Sequence, residues 1–280
     1  MTNQDTVKEI KKLAINIRRD VVNMIGGEGH VGHLGGSCSS ADIVAALYGH
    51  KMKFDPKNPQ WEGRDKFIYS KGHAAIAQYA ALAETGYFPV EELSTCKKLG
   101  SRLQGHPDRC KTPGIEAGTG SLGQGLSIAN GMALAMRLDK KDNKVYCIMG
   151  DGEMDEGQIW EAAMAAASFK IDNIVGIIDK NCLQATGACA DRFNTDPLSE
   201  KWKSFGWHVI EIDGHNVEQI LAAFDEADTV KGMPTVIIAH TVKGKGIPFA
   251  ENVVGFHNGS LTKEQYETAL KELDSQFSAL

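Results

Sequence analysis

The stretch KVYCIMGDGEMDEGQIWEAAMAAASFKIDNIVGIIDKN, residues 144–181, ends two apolar runs on side chains that carry oxygen. The first run stops at Gly150-Asp151-Gly152 and the second at Asp179-Lys180-Asn181. Between them, EGQIWEAAMAAASF is a strong helix former whose alanines allow close packing on a sheet. Strand, helix and strand make a βαβ unit, and ligands of open α/β sheets bind beyond the carboxyl ends of the strands. Asp151 and Asn181 both fall at such ends. Gly150 and Gly152 remove side chains beside the aspartate, so a phosphate can approach the backbone. A carboxylate and an amide oxygen, completed by phosphate oxygens and water, suit magnesium, which takes six oxygens in a tight octahedron. Taken singly, GDG and DKN are also ordinary turns; their placement at two strand ends is what points to a cation.

Histidines form the second group. His33 lies in GHLGGS, His73 in SKGHAA, His106 in QGHPD and His257 in GFHNGS. Imidazoles in such settings can hydrogen-bond sugar hydroxyls and move protons near neutral pH. GHVGH offers both His30 and His33, whereas His50, His208, His215 and His240 read as structural or solvated. A third signal, Gly118-Thr119-Gly120-Ser121-Leu122-Gly123, matches the GxGxxG dinucleotide fingerprint. That fingerprint needs a buried strand before it, and RCKTPGIEA is none; Asp139 precedes the next strand instead of ending it. A nicotinamide or flavin is therefore not expected, although a glycine-rich loop entering a helix still suits an anionic ligand. No GxxxxGK[ST] occurs, which excludes a P-loop kinase.

The elements that must position these residues alternate between helical and strand-like patterns. Helical spacing covers 5–25, 40–50, 73–86, 123–138, 216–230 and 262–279, and strand-like runs cover 65–70, 144–149, 174–179, 207–212 and 235–240. The order implies an α/β fold with a largely parallel sheet and helices on both faces. One domain is expected over 1–280, with 262–280 as a C-terminal helical tail. Residues 100–120, rich in Gly and Pro, hold no periodic pattern, and long loops in compact domains are often functional.

Composition narrows the function classes. The 280 residues carry 36 acidic and 30 basic side chains, a net charge of −6 that argues against nucleic acid or an anionic membrane as the main partner. MTNQDTVKEI lacks the apolar core of a secretory signal, and no run approaches the ~18 apolar residues of a membrane span. The six cysteines show no CxxC pair and read as reduced thiols, so a cytoplasmic location is expected.

In this order DPKNPQWEGRDKFIYSKGHA, TGSLGQG, GDGEMDEG with DKN, and HTVKGKGIPFAEN followed by His257 resemble transketolase from about residue 10 to 260. The resemblance implies the diphosphate-binding domain of the thiamine-diphosphate fold and two-carbon ketol transfer from a ketose phosphate to an aldose. It implies that Asp151 and Asn181, through side chains, and Leu183, through its carbonyl, hold Mg2+ (with Ca2+ or Mn2+ as substitutes). Gly120, Ser121, Leu122, Gly152, Glu156, Asn181, Lys243 and His73 are implied around thiamine diphosphate, with Lys71 on its diphosphate side. His33, His73, His106 and His257 are implied as the catalytic set, of which His33, His106 and His257 hold the donor's first carbons. Glu156 and Glu161 match positions that reach the partner's glutamate. The sequence departs from the family pattern at Leu34 and Cys38 after the first histidine and at Lys180 inside DKN. It also stops after the diphosphate domain, with no counterpart of the pyrimidine-binding and C-terminal domains or of the arginine-rich phosphate pocket. That implies the N-terminal subunit of a split transketolase, inactive without a C-terminal subunit, in an α2β2 heterotetramer. Pentose phosphates are the default substrates. An unusual sugar, an E1-type dehydrogenase α subunit and a non-catalytic cofactor scaffold are the alternatives.

Overall fold

Short runs dominated by Val, Ile, Tyr and Phe pair as strands in the computed structural model, which describes residues 3–26 and 30–280. The strands are β1 (Lys66–Tyr69), β2 (Val145–Gly150), β3 (Ile174–Lys180), the two-residue β4 (Leu183–Gln184) and β5 (Gly187–Ala188), β6 (His208–Asp213) and β7 (Thr235–His240). β1, β2, β3, β7 and β6, in that order, form one parallel sheet, and β4 and β5 form a small antiparallel ribbon. One row of the register runs Tyr69–Ile148–Ile177–Ile237–Ile210 across all five strands. Neighbouring residues such as Ile68, Cys147, Ile178 and Val236 face the opposite way, so the sheet is buried on both faces.

The helices are α1 (Gln4–Ile25), α2 (Leu34–Ser39), α3 (Ala41–Ala46), α4 (Ala75–Glu84), α5 (Gln124–Leu138), α6 (Gly157–Ser168), α7 (Cys189–Arg192), α8 (Leu198–Ser204), α9 (Val217–Thr229) and α10 (Lys263–Ser278). Helices α5, α6 and α8 cover one face through Leu126, Ala129, Ala162, Ala163 and Trp202. Helices α1, α3, α4, α9 and α10 build the core of the other. Chain direction explains this division: β1 to β2 to β3 advances across the sheet, whereas β6 to β7 steps back, and crossovers of one hand then place their helices on opposite faces. Buried alanines bring α5 and α6 close to the strands. Gly125 shows how close, since a Cβ there would lie 2.2 Å from Ser70 Oγ at the end of β1. The segment 262–280 is helical over Lys263–Ser278. Thr262 and Gln265 close a capping box on α10, and Ala269 and Leu273 pack into the core beside α1. No helix among the described residues is long and apolar enough to cross a membrane.

Helix α1 buries Val7, Ile10, Ala14, Ile17 and Val21 at helical spacing, and with them a polar residue, Asp20. Burial, then the neighbouring Glu84, pushes Asp20 up to about 7, and its Oδ2 has no hydrogen-bond partner among the described residues. Glu84 itself accepts from Asn16 Nδ2 at 3.1 Å. Because native Asp20 holds its proton more tightly than the unfolded chain does, the stability it confers is fully present below about pH 4 and is lost as the pH rises towards 7. Asp20→Asn is neutral throughout and escapes that loss. Its melting temperature at pH 8 should exceed that of the wild type by about 2–5 °C, with the gap narrowing as the pH falls to about 5. A variant that melts at or below the wild type at pH 8 would contradict the assignment.

Candidate active site

The carboxyl ends of β1, β2, β3 and β7 open onto a cavity of about 300 Å³. Lys71 and His73 enter it after β1, Asp151, Gly152 and Glu153 after β2, Asn181 and Leu183 after β3, and Lys243 after β7. His33, His106, Leu122 and His257 complete the wall. This is the edge where the βαβ reading of the sequence places a ligand.

Beneath the cavity lies Asp179, in β3 with no solvent exposure. It accepts hydrogen bonds from Ser39 Oγ at 2.6 Å, from Asn181 Nδ2 at 3.2 Å, and from the Thr241 hydroxyl and the Lys71 ammonium. Burial alone would raise its carboxyl; the Lys71 charge and these hydrogen bonds outweigh that and hold it below the usual range. With its Nδ2 engaged by Asp179, Asn181 has its Oδ1 left as the acceptor, 3.2 Å from the Leu183 amide. Asp151 accepts from the Gly152 amide at 2.8 Å and from the Cys182 amide. Burial, then the charge of Asp179, pushes the Asp151 carboxyl up to about 6, against the opposing effect of the two amides. A carboxylate in that condition is stabilised by a cation. A second buried carboxylate, Glu153, ties the glycine-rich loop down: it accepts from the Gly123 amide at 2.8 Å, the Gly150 amide at 3.0 Å and the Ser70 hydroxyl.

His33, His73 and His257 lie against one another in one cluster, tilted or edge-on, with ring centroids 4.8, 5.5 and 5.3 Å apart. Burial, then nearby ammonium groups, lowers His33 and His257 to about 4 and His73 to about 2, so all three are neutral at physiological pH. Lys243, also buried, donates to the Leu183 carbonyl at 2.6 Å and lies 2.8 Å from His257 Nδ1. Burial, then Lys71, lowers its ammonium to about 8. His106 stands exposed at the rim, its ring over Gly120, where a Cβ would come within 2.7 Å of Cδ2. Gly120 also has φ +152°, a second reason for glycine there.

Of the residues singled out in the sequence, His33, His73, His106, His257, Leu122, Asp151, Gly152, Asn181, Leu183, Lys71 and Lys243 line the one cavity. Gly120 supports it from beneath His106, while Ser121 and Glu156 do not line it. Glu156 is exposed just before α6, beside Gly123 of the glycine-rich loop, and Glu161 is exposed on α6. His30 lines a separate cavity with Val31 and Lys97, so the three-histidine cluster is built on His33. Sequence reasoning missed Ser39, Glu153 and Thr241. Of these, only Glu153 carried a signal, as an acid directly after GDG.

The donor set can be tested against a metal. Among the described residues no group of three or more His, Cys, Asp or Glu is poised to hold one. What the cavity offers is one carboxylate, one amide oxygen and one backbone carbonyl. That suits a hard cation completed by phosphate oxygens and water, and the Lys71 and Lys243 ammoniums suit the same anion.

Residues 3–277 match the family described as transketolase, thiamine diphosphate binding domain. The chain belongs to the transketolase family. It is 47% identical over 260 residues to a 6-deoxy-6-sulfo-D-fructose transketolase subunit of Clostridium sp. (strain MSTE9), covering 93% of this chain and 94% of that one. It is 42% identical over 249 residues to one subunit of the apulose-4-phosphate transketolase of Phocaeicola vulgatus, covering 89% and 88%. The fold superposes on a transketolase mutant of Pichia stipitis with a TM-score of 0.88 at 31% identity, over 94% of this chain but 40% of that one. This transketolase-family chain therefore spans less than half of the solved enzyme it superposes on.

The histidine cluster makes a direct prediction. In protein labelled at histidine, three imidazole signals, assigned with His33→Gln, His73→Gln and His257→Gln, should keep neutral chemical shifts from pH 6 to 8. Movement of any of the three through that range would show an environment less buried than the one described.

Proposed function

We propose that this chain is the diphosphate-binding subunit of a two-chain transketolase, which moves a two-carbon ketol unit from a ketose phosphate to an aldose once a C-terminal subunit completes the site. The observation that carries the reading is the joining, in one cavity, of an Asp151–Asn181 oxygen pair with neutral His33, His73 and His257. The matching length of relatives that are named as subunits supports it. Asp151, Asn181 and the Leu183 carbonyl are the residues that would hold Mg2+, and Lys71 and Lys243 flank the diphosphate. Thiamine diphosphate, when bound, supplies the electron sink for breaking the carbon–carbon bond.

The chain's own part is binding, orientation and proton handling. Neutral imidazoles both donate and accept, so His33 and His257 can bond the hydroxyl and carbonyl oxygens of a donor's first carbons without adding charge. His106, exposed at the rim, is placed to give or take a proton at the substrate oxygen as negative charge develops. Exposed Glu156, just before α6, and Glu161, on it, are assigned to the contact with the C-terminal subunit, in an α2β2 heterotetramer in the cytoplasm. Two relatives named for 6-deoxy-6-sulfo-D-fructose and apulose-4-phosphate favour an unusual ketose over the ordinary pentose phosphates. An E1-type dehydrogenase α subunit is disfavoured by the histidine cluster.

Reconstitution tests the reading. The chain with thiamine diphosphate and magnesium should show no ketol transfer alone and should turn over when mixed with a transketolase C-terminal subunit from the same source. His106→Ala should lower turnover of the mixture by about 10²-fold with cofactor affinity within threefold of wild type. Full turnover by the isolated chain, or a His106→Ala change below twofold, would refute it.

A further inference from the structure

Outside the cavity, one polar chain crosses the α1–α3 side of the fold and ends on the loop that carries Lys243. Arg18, buried on α1, donates to Asp42 Oδ1 at 3.2 Å and to Oδ2, and also to the carbonyl of Cys38 in α2. Asp42 Oδ2 lies 2.8 Å from Nδ1 of His215, and Nε2 of His215 lies 2.8 Å from the Val242 amide nitrogen. A backbone N–H can only donate, so Nε2 is the bare acceptor. Nδ1 then carries the proton and donates a hydrogen bond to Asp42. Burial would raise the Asp42 carboxyl, but Arg18, then the His215 bond, brings it down to about 2, so it remains an acceptor. The turn that presents His215 also needs its glycine, because a Cβ at Gly214 would sit 2.5 Å from Thr241 Cγ2.

We propose that His215 is a positioning residue: anchored by Arg18 and Asp42, it fixes the Val242 amide and so places the Lys243 ammonium in the cavity. It rests on the reading above, in which Lys243 faces the diphosphate. His215 does not line the cavity. Its effect passes through one backbone amide to Lys243, and from Lys243 to the Leu183 carbonyl and His257. The Gly244 amide is also held, by the Gly35 carbonyl at 3.0 Å, so loss of the imidazole leaves the loop attached but free to shift at Val242 and Lys243.

The test is a double-mutant cycle on thiamine diphosphate affinity, measured by calorimetry at saturating magnesium in the complex with the C-terminal subunit, with melting temperatures alongside. His215→Phe should weaken binding about tenfold, and His215→Gln, whose amide can donate to Asp42 and accept from Val242, should stay within threefold. His215→Phe added to Lys243→Ala should cost nothing beyond Lys243→Ala alone, because the two act through one ammonium. If His215→Phe does not fold, His215→Asn, too short to span both partners, carries the same expectation. Fully additive losses, or a lowered melting temperature with unchanged affinity, would overturn the proposal. Absence of cofactor binding by the wild-type complex would overturn the reading beneath it, and the proposal with it.

Discussion

A carboxylate fully enclosed in a parallel sheet is costly: removing an ion pair from water costs several kcal/mol per ion before the partner repays any of it. Asp179 is such a group, and its pairing with Lys71 is the constraint on which the site depends. Its donors come from four places in the chain: Ser39 in α2, Lys71 after β1, Asn181 after β3 and Thr241 after β7. Lys71 and Asn181 face the cavity themselves, and Ser39 and Thr241 lie within three residues of Gly36 and Lys243, which also line it. The pair therefore sets the mutual positions of the strand ends, and its desolvation cost is offset by four hydrogen bonds and by the rigidity they confer. A hydrophobic replacement would pack as well and position nothing.

The same logic is repeated nearby with different partners. Glu153 binds two glycine amides and a hydroxyl, fixing the loop before α5 against the ends of β1 and β2. Small residues make this possible: Gly125 lets α5 touch Ser70, and the alanines of α6 lower the helix onto the sheet. Around this rigid floor the functional groups are held in states that isolated side chains would not adopt. Asp151 is harder to ionise than a free aspartate and the three clustered histidines harder to protonate. Groups so displaced by burial are stabilised by ligand charge, which is how a site stores affinity for a cation and a diphosphate.

Much of this was legible in the sequence. All five sheet strands and the long helices follow from apolar periodicity, within a residue or two at their ends. Asp151 and Asn181 were legible because each closes an apolar run. The residues missed are those whose structure comes from tertiary contact. Helix α2 in LGGSCS has no periodic pattern and forms because all six of its residues are buried. The short α7, α8 and the β4–β5 ribbon are too brief to register. His215 read as an ordinary histidine, since Asp42 and Val242 are far from it in sequence and only the fold brings them together.

The central claim is that a carboxylate and an amide on adjacent strand ends join this chain to the diphosphate through a metal. Calorimetric titration of thiamine diphosphate into Asp151→Ala, with and without magnesium, tests it most directly. The account predicts loss of the magnesium-dependent part of the affinity in a variant that still folds, as its cooperative melting transition reports. Magnesium-dependent binding of wild-type strength by the folded variant would contradict it.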